Sequence, residues 1–158
     1  MVLWSLTKQH QRLSSLIDQA HKFNADETEL RAHWARYLCV LASGFLENAL
    51  KDVYGNYAQR CSNKGVGNYV AATLGKIQNP KATRFVETAR AFHDAWADGL
   101  NVFLDSEGRR EAIDAIMSNR HLIAHGKDSG ITLANLAEYL RRSVQVIEFI
   151  ETQCGVHA

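Results

Sequence analysis

A single proline in 158 residues leaves little to break long helices, and it argues against a linker-rich or multi-domain layout. Cysteine is scarce too. Cys39, Cys61 and Cys154 stand far apart, odd in number and without a C-x-x-C spacing. That argues against a disulfide framework and a structural zinc site, and it fits a reducing compartment such as the cytoplasm. Charge of one sign is not in excess: 18 Lys and Arg face 17 Asp and Glu, a net charge of +1. A generally basic nucleic-acid binder is excluded, so any RNA contact must come from a local basic patch. No apolar run is long enough to span a membrane. Met1-Val2-Leu3-Trp4-Ser5 does not have the basic-then-apolar form of a secretory signal. Strand-type alternation of useful length, internal repeats and low-complexity tracts are also missing.

What is present is helical periodicity. Hydrophobic residues make up 46% and charged residues 22%, the balance of a globular chain long enough to bury one core, so residues 1–158 read as a single domain. Leu6, Leu13, Leu16, Ile17, Ala20 and Phe23 predict a first helix from Leu6 to Phe23, and Asp26 or Thr28 can cap the next. A long second helix runs from Glu27 to about Gln59, apolar on more than one side and therefore central. Residues 61–67 read as the clearest loop, followed by a short helix from Asn68 to Lys76 and a turn ending at Pro80. Lys81 to about Trp96 forms the next helix, interrupted near Gly99 before Asn101 to Leu104. Asp105-Ser106 then caps a helix that ends near Ala124, Gly126 closes it, and Thr132 caps the last. The expectation is an all-α bundle of five to six helices. Trp34, Phe85, Phe92 and Trp96 recur at core spacing and read as packing, not as base-stacking platforms.

The chemistry gathers in Asn119-Arg120-His121-Leu122-Ile123-Ala124-His125-Gly126. Arginine holds phosphate oxygens and stabilises charge building in a transition state, and histidine moves a proton near neutral pH. Together they suit RNA cleavage without metal or cofactor, because the ribose 2′-OH is the nucleophile. Arg120 falls on the face of Ile113, Ile116 and Met117, a costly place for a guanidinium unless it is paired or opens into a cavity or an interface. His125 follows by five positions and points well away from Arg120 on an unbroken helix. The two converge only if the helix ends or loosens near His125, as Gly126 permits. A second histidine, needed as the acid to the first one's base, can be His125 of another subunit. His121 or Asn119 can orient the phosphate or the catalytic histidine. Glu47, midway along the long helix, can hold Arg120 or His125, or be an ordinary exposed carboxylate. Lys127, Arg109, Arg110, Arg141 and Arg142 can supply a basic rim or form solvated helix faces. The remaining histidines, His10, His21, His33, His93 and His157, have no usable partner spacing.

The run from Arg120 to Lys127, then Ile131-Thr132-Leu133 and a final helix, resembles the RiboL-PSP-HEPN branch of the HEPN superfamily, with its R-polar-x-I-A-H-G phrase and "vT" helix start. The long helix with Phe45-Leu46-Glu47 and Tyr54 is similar to that branch as well. The resemblance implies a helical bundle that dimerises so that two motifs form one cleft. It also implies metal-independent RNA cleavage, often by a toxin or a phage-defence effector with an antitoxin or defence partner. Carried over by position, Arg120 and His125 are the catalytic pair and His121 the polar neighbour. HEPN toxins paired with a nucleotidyltransferase often have tyrosine two places after the histidine. Lys127 stands there, so regulation through that tyrosine is not implied.

Two other readings stay open. Some HEPN domains have lost catalysis and only bind RNA or protein, or dimerise. Alternatively, His121 and His125 have the spacing of a two-histidine metal pair, with Asp128 as a third ligand, although no acidic residue lies between them. In the plainest case Arg120 pairs with a carboxylate and His125 is a cation at a helix C-terminus.

Overall fold

The computed structural model describes residues 3–24 and 26–155. Met1, Val2, Ala25 and His157 lie outside them. The described residues form seven helices and no strand, two helices more than the lower expectation and one more than the upper. They are α1 (Trp4–His21), α2 (Thr28–Cys61), α3 (Lys64–Leu74), α4 (Ala82–Phe92), α5 (Asp94–Leu104), α6 (Arg109–Ala124) and α7 (Leu133–Gln153).

The difference in count comes from one misplaced break. The chain parts at His93, not at Gly99. His93 takes an extended backbone (φ −160°), and its ring Nδ1 accepts the Ala95 N–H at 3.2 Å, capping α5. Gly99 lies inside α5, where an added Cβ would stand 3.4 Å from Gln153 Nε2. Its role is close packing on α7, not interruption.

Three other expectations are corrected in the same way. The supposed loop at 61–67 shrinks to Ser62 and Asn63, because the Asn63 side chain accepts the Val66 N–H at 3.0 Å and starts α3 through Gly65 and Gly67. Gly67 lets the Gln59 side chain of α2 lie close, since a Cβ would come 2.7 Å from its Oε1 and push that flexible side chain aside. Asp105 and Ser106 do not cap α6. Gly108, at φ +66°, does so, while Asp105 holds Arg110 and the Ser106 hydroxyl receives a bond from Arg109. Neither Asp26 nor Thr28 is the N-cap of α2; Glu27 occupies that place, its carboxylate accepting the Asn24 N–H. The cap at Thr132 is present, its hydroxyl accepting the Asn135 N–H at 3.2 Å.

The long helix is central, as its multi-sided apolarity requires. α2 packs against α1, α3, α6 and α7, and Leu38, Leu46, Leu50 and Tyr54 are fully buried along it. Burying each such side chain stabilises the fold by about 1.5–3 kcal/mol. The aromatics are packing residues. Phe85 is fully buried, Phe92 stacks on Tyr54 at 5.0 Å, Trp96 meets Tyr57 edge-on at 5.0 Å, and Trp34 lies 5.7 Å from Phe23. No helix among the described residues is long and apolar enough to cross a membrane.

Candidate functional site

The last turn of α6 is held from two sides. Inside, Ile113, Ile116 and Met117 are buried against the core, and the Cys39 thiol of α2 donates to the Ile116 carbonyl at 3.5 Å. Burial pushes that thiol up to about 12 despite the facing Arg120 N–H, so Cys39 is a packing residue and not a nucleophile. At its end, α6 closes with a Schellman motif. The Gly126 N–H bonds the Ile123 carbonyl at 3.1 Å, and the Lys127 N–H bonds the Leu122 carbonyl at 2.9 Å. This requires the left-handed φ of +66° at Gly126, which glycine adopts without a Cβ penalty. His125 becomes the C-cap, at φ −98° and ψ 13°.

Arg120 sits half-buried at the margin of the apolar face. Its guanidinium makes no hydrogen bond or ion pair among the described residues, yet its charge reaches the Glu47 carboxylate. Glu47 is itself fully engaged. Lys51 donates to Oε1 at 2.7 Å and the Asn79 backbone N–H donates to Oε2 at 2.8 Å. Burial alone would raise the Glu47 carboxyl. The Lys51 ammonium, the Asn79 N–H and the Arg120 charge together hold it below the usual carboxylate range. Glu47 therefore ties α2 to the α3–α4 connection and presents negative charge to Arg120. It does not fit the alternative of a free, solvated carboxylate.

His125 takes the other side. Its exposed ring lies 4.5 Å from that of His121, tilted by 61°. The two imidazoles share one exposed surface, while Arg120 faces Glu47. Among the described residues no hydrogen bond or ring contact joins Arg120 to His125. The Asn119 amide donates back to the Ala115 carbonyl at 2.8 Å, which leaves its carbonyl oxygen as the group that can face a ligand. The Lys127 side chain is exposed. Beyond it the loop is tied to α2 by Arg36 and Asp128, at 3.5 Å. With Asp128 so placed, His121 and His125 gain no third ligand, and no group of three metal-ligating side chains occurs among the described residues.

The other arginines form no rim. Arg109 is 7% exposed, bonded to Gln145, Ser106 and Glu107, and lies 4.0 Å above the Phe103 ring. Arg110 binds Asp105 and Asn101. Arg141 and Arg142 share the Glu138 carboxylate, and their hydrogen bonds lower its carboxyl to about 2. Arg109 and Arg110 also lie at the far end of α6, roughly 15 Å along the helix from Arg120 at 1.5 Å per residue.

Sequence reasoning missed Lys51 and Asn79. The Glu47–Lys51 spacing of four was readable as a helical ion pair. The Asn79 contact crosses 32 residues and carries no local signal.

No curated protein and no solved structure shows significant similarity to the chain. The model of the RiboL-PSP-HEPN family matches residues 5–155, nearly the whole length and all seven helices but the first residue of α1. The chain is therefore a member of the RiboL-PSP-HEPN family, which places it among RNA-related helical domains that include ribonucleases.

Proposed function

We propose that the protein is a metal-independent endoribonuclease acting as a homodimer, with a cleft built from both copies of the α6 terminus. The observation that carries this reading is one helix end, fixed by Gly126, that carries both a guanidinium with no ion-pair partner among the described residues and a pair of exposed imidazoles. In the reaction the ribose 2′-oxygen attacks the adjacent phosphorus and the bond to the 5′-oxygen breaks. His125 of one copy takes the 2′ proton, and His125 of the other protonates the departing 5′-oxygen. The products are a 2′,3′-cyclic phosphate and a free 5′-OH. Arg120 binds the non-bridging oxygens as charge grows on them. His121 and Asn119 orient the phosphate or the imidazole, Lys127 adds positive charge, and Glu47 positions Arg120. A toxin or phage-defence role, with an antitoxin or defence partner, is part of this proposal, and the family match is its only support.

The dimer has its own support. Acid–base cleavage uses two proton-transfer groups, and a partner copy's α6 terminus can supply the second. Gly44 lies exposed in the middle of α2, with nothing among the described residues within 4 Å of where its Cβ would be. A mid-helix glycine costs about 0.5–1 kcal/mol relative to alanine, and nothing inside the protomer uses the space. Exposed Tyr37 and Val40 lie two turns and one turn before it, beside a cleft of about 290 Å³ between α1 and α2 lined by Leu13, Leu16 and Leu41. A second α2 crossing at Gly44 would use both the apolar surface and the missing side chain.

Wild type and the Arg120→Ala/His125→Ala variant, incubated with mixed RNA and EDTA, provide the test. The reading requires fragments ending in 2′,3′-cyclic phosphate from wild type alone. General acid–base catalysis contributes about 10²–10⁴-fold, so the variant falls to background. Equal cleavage by both proteins, or cleavage abolished by EDTA, overturns the mechanism. RNA binding without turnover in wild type supports a non-catalytic binding module instead.

A further inference from the structure

The α3–α4 connection is fixed to both helices of the candidate site. Its Asn79 N–H is held by Glu47 on α2, and the Ala82 N–H is held by Asp114 on α6 at 2.8 Å. Ile77 and Pro80 are buried beneath it, and Asn79 adopts a left-handed φ of +48°. The backbone is thus anchored by two hydrogen bonds and by the buried Ile77 and Pro80, and the polar side chains around them are exposed. Lys76, Gln78, Lys81 and Thr83 are exposed around an open cleft of about 480 Å³. Arg84, on the same cleft, is neutralised by Glu87 at 3.0 Å. Lys76 and Lys81 make no hydrogen bond or ion pair among the described residues. Elsewhere Arg90, Arg109, Arg110, Arg141 and Arg142 are all matched by carboxylates. Near Arg120, therefore, uncommitted positive charge lies on this connection.

The connection is bonded to α6 itself, at Asp114, six residues or roughly 9 Å along the helix before Arg120. The Glu47 carboxylate touches Asn79 and feels Arg120, so the two flank one group. Lys76 and Lys81 are three and two residues from Asn79, a reach of at most roughly 10 Å of chain. Long lysine side chains then span the neighbouring phosphates of a strand whose reacting phosphate lies at Arg120. Lysines act on phosphates as point charges and read no base, and single strands are commonly held by such basic grooves.

We propose that the α3–α4 connection is a phosphate-binding subsite for single-stranded RNA flanking the cleaved bond, with Lys76 and Lys81 as its cations. The inference rests on the ribonuclease reading for the position of the cleaved bond, but its test does not depend on turnover. The probe is a fluorescein-labelled 2′-O-methyl oligoribonucleotide, which has no 2′-OH nucleophile and cannot be cut. Its binding is followed by anisotropy across a salt series for wild type, for Lys76→Gln/Lys81→Gln, and for Arg141→Gln/Arg142→Gln as a control of equal charge. The lysine variant should bind about tenfold more weakly, and its salt slope should shrink by about 1.4, or 0.7 for each lost phosphate contact on a single strand. The control should match wild type. An unchanged slope in the lysine variant, an equal loss in the control, or no binding by wild type at low salt overturns the subsite. Cleavage of unmodified RNA scores the ribonuclease reading separately. Cleavage with a lysine-independent salt slope removes only the subsite, while lysine-dependent binding without cyclic-phosphate products removes only the nuclease.

Discussion

Glu47→Gln isolates the group that links the fold to the candidate site. The carboxylate receives two short bonds, from Lys51 Nζ at 2.7 Å and the Asn79 N–H at 2.8 Å, and its side chain is 23% exposed. Hydrogen bonds to charged groups contribute about 1.5–3 kcal/mol each, and partial solvent screening favours the lower end. Glutamine is isosteric and retains one acceptor, so the Asn79 bond survives in neutral form while Lys51 and Arg120 lose their counter-charge. The expected cost is about 1–2 kcal/mol, a fall in Tm of roughly 3–6 °C for a domain of this size. The sign with pH follows from the depressed carboxyl. Because it ionises more readily folded than unfolded, its stabilisation is fully present above the unfolded value of about 4.3 and disappears as pH falls through the folded value. Far-UV circular dichroism melts of both proteins from about pH 7 to about pH 3 should show the widest Tm gap near neutrality, closing in acid. A variant as stable as wild type at neutral pH, or a gap that stays constant into acid, would refute the argument that Glu47 works through its charge.

Two further outcomes test neighbouring parts of the structure. Gly126→Ala meets no neighbour within 4 Å, so its whole cost is the left-handed backbone, about 1 kcal/mol in a urea titration, with loss of order at the end of α6. Arg109→Ala leaves Gln145, Ser106 and Glu107 without their partner and opens a buried site. Glu107 stays solvated, so the cost comes from the lost packing and the unpaired Gln145 and should be about 1–3 kcal/mol by chemical denaturation. Because Arg109 lies at the far end of α6, the RNA salt slope of the folded variant should equal that of wild type; a reduced slope would return Arg109 to an RNA-binding rim.

The amino-acid order carried much of what depends on near neighbours. Helical periodicity, the caps at Thr132 and Gly126, the central place of α2 and the Arg120–His125 motif are set by residues within a few positions of one another. Where local signals competed, the reading failed. Gly99 resembles a break and His93 does not, yet a ring nitrogen accepting a backbone N–H stops α4 at His93, while contact with Gln153 keeps Gly99 helical. Gly65 and Gly67 resemble a loop until the Asn63 cap and the tight approach of Gln59 are known. Charge was the least legible property. Arg109, Arg110, Arg141 and Arg142 look like an available basic rim in sequence, and folding commits each of them to carboxylates. Lys76 and Lys81 look unremarkable and are left open beside the site. A residue type and its spacing suffice to place a charge on a helix. Whether that charge is spent internally depends on which side chains the packing of α2, α6 and the α3–α4 connection brings within about 3 Å, across separations such as the 32 residues between Glu47 and Asn79.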